Sequence, residues 1–417
     1  PYIYIPNIHT HKINFPPPPS TTKKKKVTII IYYNMSSNNN NNNTLKGIHQ
    51  QIRRMSTHPS LRATYVHAPR FTPGSEDSRK FLKEYGYVVI KALSETEAAH
   101  AVDLTWEYLE SLGTGIKRND YKTWNKDQWP TAVHGAILPG HGIGHSKPQW
   151  YVRGHPNIKK AFAGIWQTTD LLASFDGMSL FRPWKLNEEW RTNPSASWFH
   201  IDQHPLTRPG FQCVQSLVNL LPMSKKTGGN VLIPKSHLDF VQIPIKYEKR
   251  LSRIPKEVDH FRYPANDPLL AKNAAIQPIQ VHLEVGDMLL WDSRTIHCSS
   301  PSMEEPDTEA KLMRCVNLIC MMPRRLTPEH VIERRKQAPL LVNSTTNWTD
   351  RWINADEFPQ LTVHRDMEKY PNTNGYKYKR PDPPQLNKHQ LLLVGYTEEE
   401  IDNGAYPYYL KESSSRL

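Results

Sequence analysis

The pattern of apolar and polar positions changes twice along the chain, and each change predicts a different architecture. From about residue 171 to 322 the apolar residues come in short runs, LLASFDGMSLF, FQCVQSLVNLL, NVLIP, MLLWD and CVNLICMM, separated by Gly, Pro and Asn. Runs of that length between turn formers predict strands of an antiparallel barrel or double sheet. Ahead of them the spacing is helical. SRKFLKEYGYVVI predicts a short amphipathic helix around Phe81 and Leu82, a stop at Gly86 and a strand from Tyr87 to Ile90. In SETEAAHAVDLTWEYLESLG, Ser94 and Glu97 have capping-box spacing, and Ala98, Val102, Trp106 and Leu109 form one stripe that ends at Gly113. Beyond Pro323 a helix is expected over Pro328 to Gln337, then a Pro- and Tyr-rich segment containing QLLLVG that wraps back on the sheets. No solenoid-type repeat interrupts this order.

Residues 1–75 fit neither pattern. Pro16 to Pro19, Lys23 to Lys26 and Asn38 to Asn43 cannot bury enough apolar area to offset the entropy of ordering them, so this stretch is read as a disordered leader. The chain opens on Pro1, and a start at Met35 or Met55 would leave residues 1–34 outside the natural protein. VTIIIYY behind the four lysines is too short, and too poor in small residues after it, for a secretory signal. No stretch approaches the roughly 20 apolar residues that span a bilayer. A single catalytic domain over 76–417 is therefore expected, with a helical and strand region at 76–170, a sheet core at 171–325 and a wrap at 326–417.

Charge and cysteines narrow the function. The formal net charge is +13, from 53 Lys and Arg against 40 Asp and Glu. Eight of those bases lie in residues 1–60, which contain no acid, so the rest carries only +5. A basic excess confined to the leader, with no base-reading module, argues against nucleic acid as a partner and leaves a small-molecule substrate. Cys213, Cys298, Cys315 and Cys320 show no CxxC, which suits buried thiols in a reducing compartment better than zinc or a disulfide framework.

The chemistry concentrates in SWFHIDQHP. His200 and Asp202 are two apart in an extended stretch and so project from one face. His297 lies 95 residues after Asp202 in GDMLLWDSRTIH, where the Gly286-Asp287 turn launches an apolar strand expected to deliver the imidazole at its far end. Two imidazoles and a carboxylate on one octahedral face suit Fe(II), because three positions stay open for a bidentate oxo-acid and dioxygen. Zinc favours a closed four-ligand shell or a three-ligand hydrolytic site. Arg314, 17 residues past His297 at the start of the next strand, offers a planar, permanently charged grip for a cosubstrate carboxylate. His204 is a rival ligand, but three ligands from one short strand would strain the geometry, so His204 and its neighbour Gln203 are read as pocket residues. GHGIGH carries His141 and His145 without an acid; its glycines suggest a flexible loop, with His141 lining the cavity mouth.

With these motifs the chain resembles the phytanoyl-CoA dioxygenase (PhyH)-like branch of the Fe(II)/2-oxoglutarate oxygenases, over roughly Phe81 to Met322. The resemblance rests on KEYGYVVIKALSETEA, FHIDQHP, VNLLPMSKKTGGNVLIPKSH, the GD turn, and TIHCSSPS followed by Arg314. It implies a mainly β fold with flanking helices around a double-stranded β-helix (jelly roll, cupin-like) core. It implies that His200, Asp202 and His297 hold iron, that Arg314 and Ser299 bind 2-oxoglutarate, and that Gln215 lies on a strand lining the cosubstrate pocket, with Asn219 on the same face. The activity implied is hydroxylation of a small organic or acyl substrate with O2, releasing succinate and CO2. Asp202 speaks against the halogenase variant, which needs a vacant ligand position. Two departures bear on the cosubstrate. Leu217 stands where the family often has tryptophan, and MEEPDTEA lengthens the gap before Arg314, so Arg324 and Arg325 are alternative anchors. A non-catalytic jelly-roll binding module, and a cupin-like metal oxygenase that uses no 2-oxoglutarate, are the competing readings. Ser415-Arg416-Leu417 is a variant of the Ser-Lys-Leu address, which predicts a peroxisomal import receptor as partner and the peroxisome as location, with the cytoplasm as alternative.

Overall fold

In the computed structural model, which describes residues 62–134, 136–192, 198–302, 311–355, 368–369, 371–373 and 375–410, eight strands build the core. They are β1 (Met178–Phe181), β2 (His200–Ile201), β3 (Val214–Asn219), β4 (Gly229–Leu232), β5 (Ile279–Val281), β6 (Asp287–Asp292), β7 (His297–Ser300) and β8 (Arg314–Pro323). One sheet contains β5-β4-β7-β2 in that order and the other β6-β3-β8-β1, with every core pair antiparallel. Successive strands pass back and forth between the sheets, apart from the step from β4 to β5. That winding is the jelly roll, and the fold is mainly β with flanking helices.

The sheets acquire further strands from outside the core. Thr64–Val66 adds to β5, Phe261–Arg262 to β2, and Tyr87–Lys91 to β6, with Arg70–Phe71 beyond it. Residues 62–75 are therefore part of the fold, which corrects the leader boundary at 75. Their two- and three-residue strands are too short to show a period, and Arg70 is tied down by an ion pair to the buried Asp287 at 2.8 Å. The remainder of the expected leader, and Ser415 to Leu417, lie outside the described residues, as does MEEPDTEA.

The apolar runs are continuous because the larger sheet is covered on both faces. Along β6, Met288 and Leu290 join the cluster formed with the helices, whereas Leu289 and Trp291 face the smaller sheet with Leu232 and Val281. The helices of seven residues or more among the described residues are α1 (Glu76–Tyr85), α2 (Glu95–Ser111), α3 (Lys147–Arg153), α4 (Pro156–Trp166), α5 (Glu329–Leu341) and α6 (Lys388–Val394). α1 ends where Gly86 takes the left-handed conformation, φ 81°, and α2 carries the full Ser94/Glu97 capping box. QLLLVG is helix α6, packed on α5 and on the strand Leu171–Ala173 that extends β8. No helix among the described residues is long and apolar enough to cross a membrane, and all four cysteines are buried free thiols.

One expectation about the site needs correcting. β6 does not carry His297 at its far end: it stops at Asp292, whose carboxylate accepts from Arg294 N at 2.9 Å and pairs with the Arg294 guanidinium at 2.6 Å. This turn, closed by Thr295 N donating to Asp292 O (2.8 Å), moves the chain into the other sheet, where His297 opens β7.

Candidate metal centre and its cavity

β7 lies antiparallel to β2 with His297 directly opposite His200, which sets their ring centroids 4.4 Å apart. Asp202 follows β2 in the turn, where its N–H donates to Ser293 O at 3.1 Å, and its carboxylate faces both rings. His200 Nε2 is 3.4 Å from Oδ1 and His297 Nε2 is 3.3 Å from Oδ2. One donor atom from each residue falls within 4.8 Å of the others, the only such group of three among the described residues.

The surroundings orient these donors. His200 Nδ1–H donates to Trp198 O (2.6 Å) and His297 Nδ1–H to Thr295 O (2.9 Å), so each Nε2 lone pair points at the shared site. Gln215 Nε2 donates to Asp202 Oδ2 at 2.9 Å, and Gln215 Oε1 accepts from Trp291 Nε1 at 3.0 Å, which fixes the amide orientation. Burial works to raise the Asp202 carboxyl, but the two imidazoles beside it hold it well below the usual carboxylate range. Burial likewise opposes protonation of His200, which the Asp202 charge nonetheless raises, while burial and the neighbouring His200 lower His297. The carboxylate and the two imidazole nitrogens converge on one point, a place that a divalent cation fits. Two oriented imidazole nitrogens, one ionised carboxylate and no fourth donor among the described residues match the open facial set of Fe(II).

The triad lines a cavity of about 220 Å³. At one end Arg314, the first residue of β8, is buried with its guanidinium 5.1 Å from the Phe181 ring centre. Burial lowers it from 12.5 to about 10, so it stays charged at neutral pH. It has no hydrogen bond or ion pair among the described residues. Around the same cavity Ser299 Oγ, Asn230 Oδ1 and Thr192 Oγ1 are buried without partners among the described residues, and Ser299 and Asn230 sit opposite each other on β7 and β4. On another side three rings stack: Trp198 lies on His200 (4.8 Å, 14°) and His134 on Trp198 (4.6 Å, 27°). Asp176 and Asn347 also line the cavity. Burial raises the Asp176 carboxyl to about 7, against the pull of Arg153.

Of the residues singled out from sequence, His200, Asp202, His297, Arg314, Ser299 and Gln215 line this cavity together, with Leu217. Gln203, His204, Asn219 and His141 do not. Gln203 points to the other side of the chain from Asp202, donating to Arg208 O and Gly210 O (both 2.6 Å) and accepting from Ser293 Oγ (2.8 Å). His204 Nδ1 accepts from Leu206 N and Thr207 N, capping its own turn. Asn219 shares the period of Gln215 but lies at the far end of β3, where Nδ2 donates to Leu221 O at 2.8 Å. The GHGIGH segment is a buried 3-10 turn instead of a flexible loop. Ser344 Oγ accepts from Gly144 N, His145 Nε2 contacts Asn343 O at 3.0 Å, and His141 packs 4.0 Å from the Tyr378 ring. Arg324 donates to Gly395 O and Arg325 is exposed, so neither alternative anchor reaches the cavity. Sequence reading missed Asn230, Thr192, Asp176, Asn347, Trp198 and His134. Trp198 alone carried a signal, two positions before His200 on the same face.

A model of the phytanoyl-CoA dioxygenase (PhyH) family matches residues 82–303, just over half of the chain and including all three triad residues. The Ava biosynthesis cluster protein O of Aspergillus versicolor is 28% identical over 306 residues, 72% of this chain and 94% of that protein. Among solved structures, GlcNAc Inducible Gene 2 (GIG2, DUF1479) of Candida albicans aligns over 87% of this chain and 90% of its own, at 12% identity and a TM-score of 0.46. The non-heme alpha ketoglutarate dependent carbocyclase SnoK from nogalamycin biosynthesis aligns over 60% and 83%, at 16% identity and a TM-score of 0.38.

Proposed function

Because the chain belongs to the phytanoyl-CoA dioxygenase family, a dioxygenase-type enzyme family, we propose that it is an Fe(II)- and 2-oxoglutarate-dependent dioxygenase that hydroxylates a small organic or acyl substrate. The overall reaction takes a C–H bond, O2 and 2-oxoglutarate to C–OH, succinate and CO2. The observation that carries the oxo-acid half of this reading is Arg314. An uncompensated buried cation is costly, and here it lies in the same cavity as the triad, with partnerless polar atoms beside it. A dicarboxylate with one end at the metal and one at the guanidinium satisfies both needs.

His200 Nε2, the Asp202 carboxylate and His297 Nε2 are the groups that would hold the metal. Iron in that site would supply O2 activation coupled to oxidative decarboxylation of the cosubstrate. The chain's own residues do the rest. Arg314 orients the distal carboxylate by paired charge-assisted hydrogen bonds, and Ser299 Oγ–H adds a neutral donor. The Trp291–Gln215–Asp202 chain keeps the carboxylate from swinging away, and the Nδ1–H bonds keep both imidazoles in the ligating tautomer. The Trp198 and His134 rings stack over the His200 side.

Anaerobic titration with Fe(II) and then 2-oxoglutarate tests the proposal, with a weak visible charge-transfer band and succinate formation expected. A well-folded protein that shows no band would be a non-catalytic jelly-roll module. Oxygen uptake independent of 2-oxoglutarate would make it a metal oxygenase of another kind.

A further inference from the structure

We infer that Asp176 selects the substrate of this cavity: it accepts from a hydroxyl or amine of a small molecule and turns anionic groups away. The inference rests on the oxygenase reading above and adds the chemical class of its substrate.

Asp176 lies in the turn between the strand Leu171–Ala173 and β1. Ser174 pins this turn to β8, its N–H donating to Cys320 O (2.8 Å) and its hydroxyl accepting from Cys320 N (2.9 Å). Cys320 is six residues along β8 from Arg314, roughly 20 Å at the rise of a strand. The cavity therefore has a cationic end and an acidic end, and the triad lines it together with both.

The turn is held rigidly, through its backbone. Gln149 Nε2 donates to Asp176 O at 2.7 Å and also to Gly177 O. The fully buried Arg153 donates to Gly144 O (2.7 Å) and Asp176 O (3.4 Å). Packing leaves no slack: a Cβ on Gly177 would fall 1.7 Å from Leu138 O, and one on Gly144 2.2 Å from Phe175 O. All of this support goes to main-chain oxygens. The Asp176 carboxylate itself receives one long hydrogen bond, from Ser174 Oγ to Oδ2 at 3.3 Å, and no ion pair among the described residues. Asn347 lines the same cavity, and its side-chain carbonyl has no donor among the described residues. When ionised, a rigid, under-satisfied acceptor facing the cavity is completed by a ligand's donor and repels a ligand's anion. Arg314 is taken up by the cosubstrate in this reading, and Arg153, the cation nearest Asp176, is committed to Gly144 O and Asp176 O and does not line the cavity, so among the described residues a second carboxylate or phosphate finds no cation to pair with there.

The test uses three probes with one ring: cyclohexanol, cyclohexylamine and cyclohexanecarboxylate. Calorimetric binding to the metal-free Arg314→Met protein, which leaves no cavity-lining cation for the carboxylate probe, at about pH 8, where Asp176 is mostly ionised, is expected to favour the alcohol and the amine over the carboxylate by about tenfold or more, the worth of one charge-assisted hydrogen bond. In that background Asp176→Leu abolishes the ranking and Asp176→Asn removes the preference for the amine. The same order is expected in how the probes perturb the visible band of the Fe(II)- and 2-oxoglutarate-loaded enzyme. Equal binding of all three probes, binding of none, or an unchanged ranking in a folded Asp176→Leu protein overturns the inference. If Asp176→Leu does not fold, an Asp176→Asn protein that keeps the amine preference overturns it as well. A normal visible band with no probe preference defeats only this inference, whereas a missing band defeats the oxygenase reading.

Discussion

Replacing Arg314 with Met separates a group kept for binding from one kept for folding. Burial depresses the guanidinium from 12.5 to about 10, and at about 1.4 kcal/mol per tenfold change the folded state bears about 3–4 kcal/mol for holding the cation. No carboxylate among the described residues offsets that cost. Met approximates the length of the side chain and removes the charge, so the metal-free variant should melt several degrees higher than the parent. The effect on 2-oxoglutarate has the opposite sign. Losing a buried, bidentate, charge-assisted pair costs about 3–4 kcal/mol, which is about 100- to 1000-fold in Kd. Anaerobic titration of the visible band gives the Kd, and differential scanning calorimetry without ligand gives the melting temperature. A variant that binds 2-oxoglutarate within threefold of the parent, or that melts lower without ligand, would refute the reasoning by making Arg314 a structural cation.

His200→Ala and Asp202→Ala should each abolish succinate formation while leaving far-UV circular dichroism intact; full turnover in either ends the metal assignment. Gln215→Leu frees Asp202 Oδ2 from its donor and should weaken Fe(II) binding about 10- to 100-fold, read by competition with a chelator, with unchanged affinity counting against the Trp291–Gln215–Asp202 chain. Burial raises the Asp176 carboxyl from 3.8 to about 7, opposed by Arg153 and Ser174 and aided by Asp202. The parent therefore loses stability as pH rises through that window, and metal-free Asp176→Asn should gain in relative melting temperature from about pH 4 to pH 7 and level off above it; a pH-independent gap contradicts the burial of the charge. We propose that Ser415-Arg416-Leu417 directs the protein to peroxisomes, so a fluorescent protein fused ahead of the chain should appear in puncta that become diffuse when the tripeptide is removed. Diffuse signal with the C-terminus free points to the cytoplasm.

Much of the local structure was legible because its causes are local. Gly86, the Ser94/Glu97 capping box and the apolar stripe of α2 act within one or two turns of chain, and the structure reproduces them. The short apolar runs were correctly strands, since a sheet buried on both faces accepts apolar residues at every position. Misreadings fell where the deciding contact was remote. Thr64–Val66 and Arg70–Phe71 are strands only because β5 and Tyr87–Lys91 offer them edges, and GHGIGH is buried only because Asn343, Ser344 and Tyr378 return from the far end of the chain.

What the sequence by itself determined was the donor chemistry: an imidazole and a carboxylate two residues apart on one face, a second imidazole after a glycine turn, and an arginine opening the next apolar run. Only the tertiary structure decided which side chains share the cavity. The pairing of β7 with β2 is what sets His297 against His200, and β4 adds Asn230 while the non-strand segments at 192 and 176 add Thr192 and Asp176, none related to the triad by any period. Alternation along an extended chain sends Gln203 away from the cavity although it adjoins Asp202. Distance along a strand excludes Asn219 although it shares a face with Gln215. Convergence in space depends on register between segments far apart in the chain, and no local pattern encodes that register.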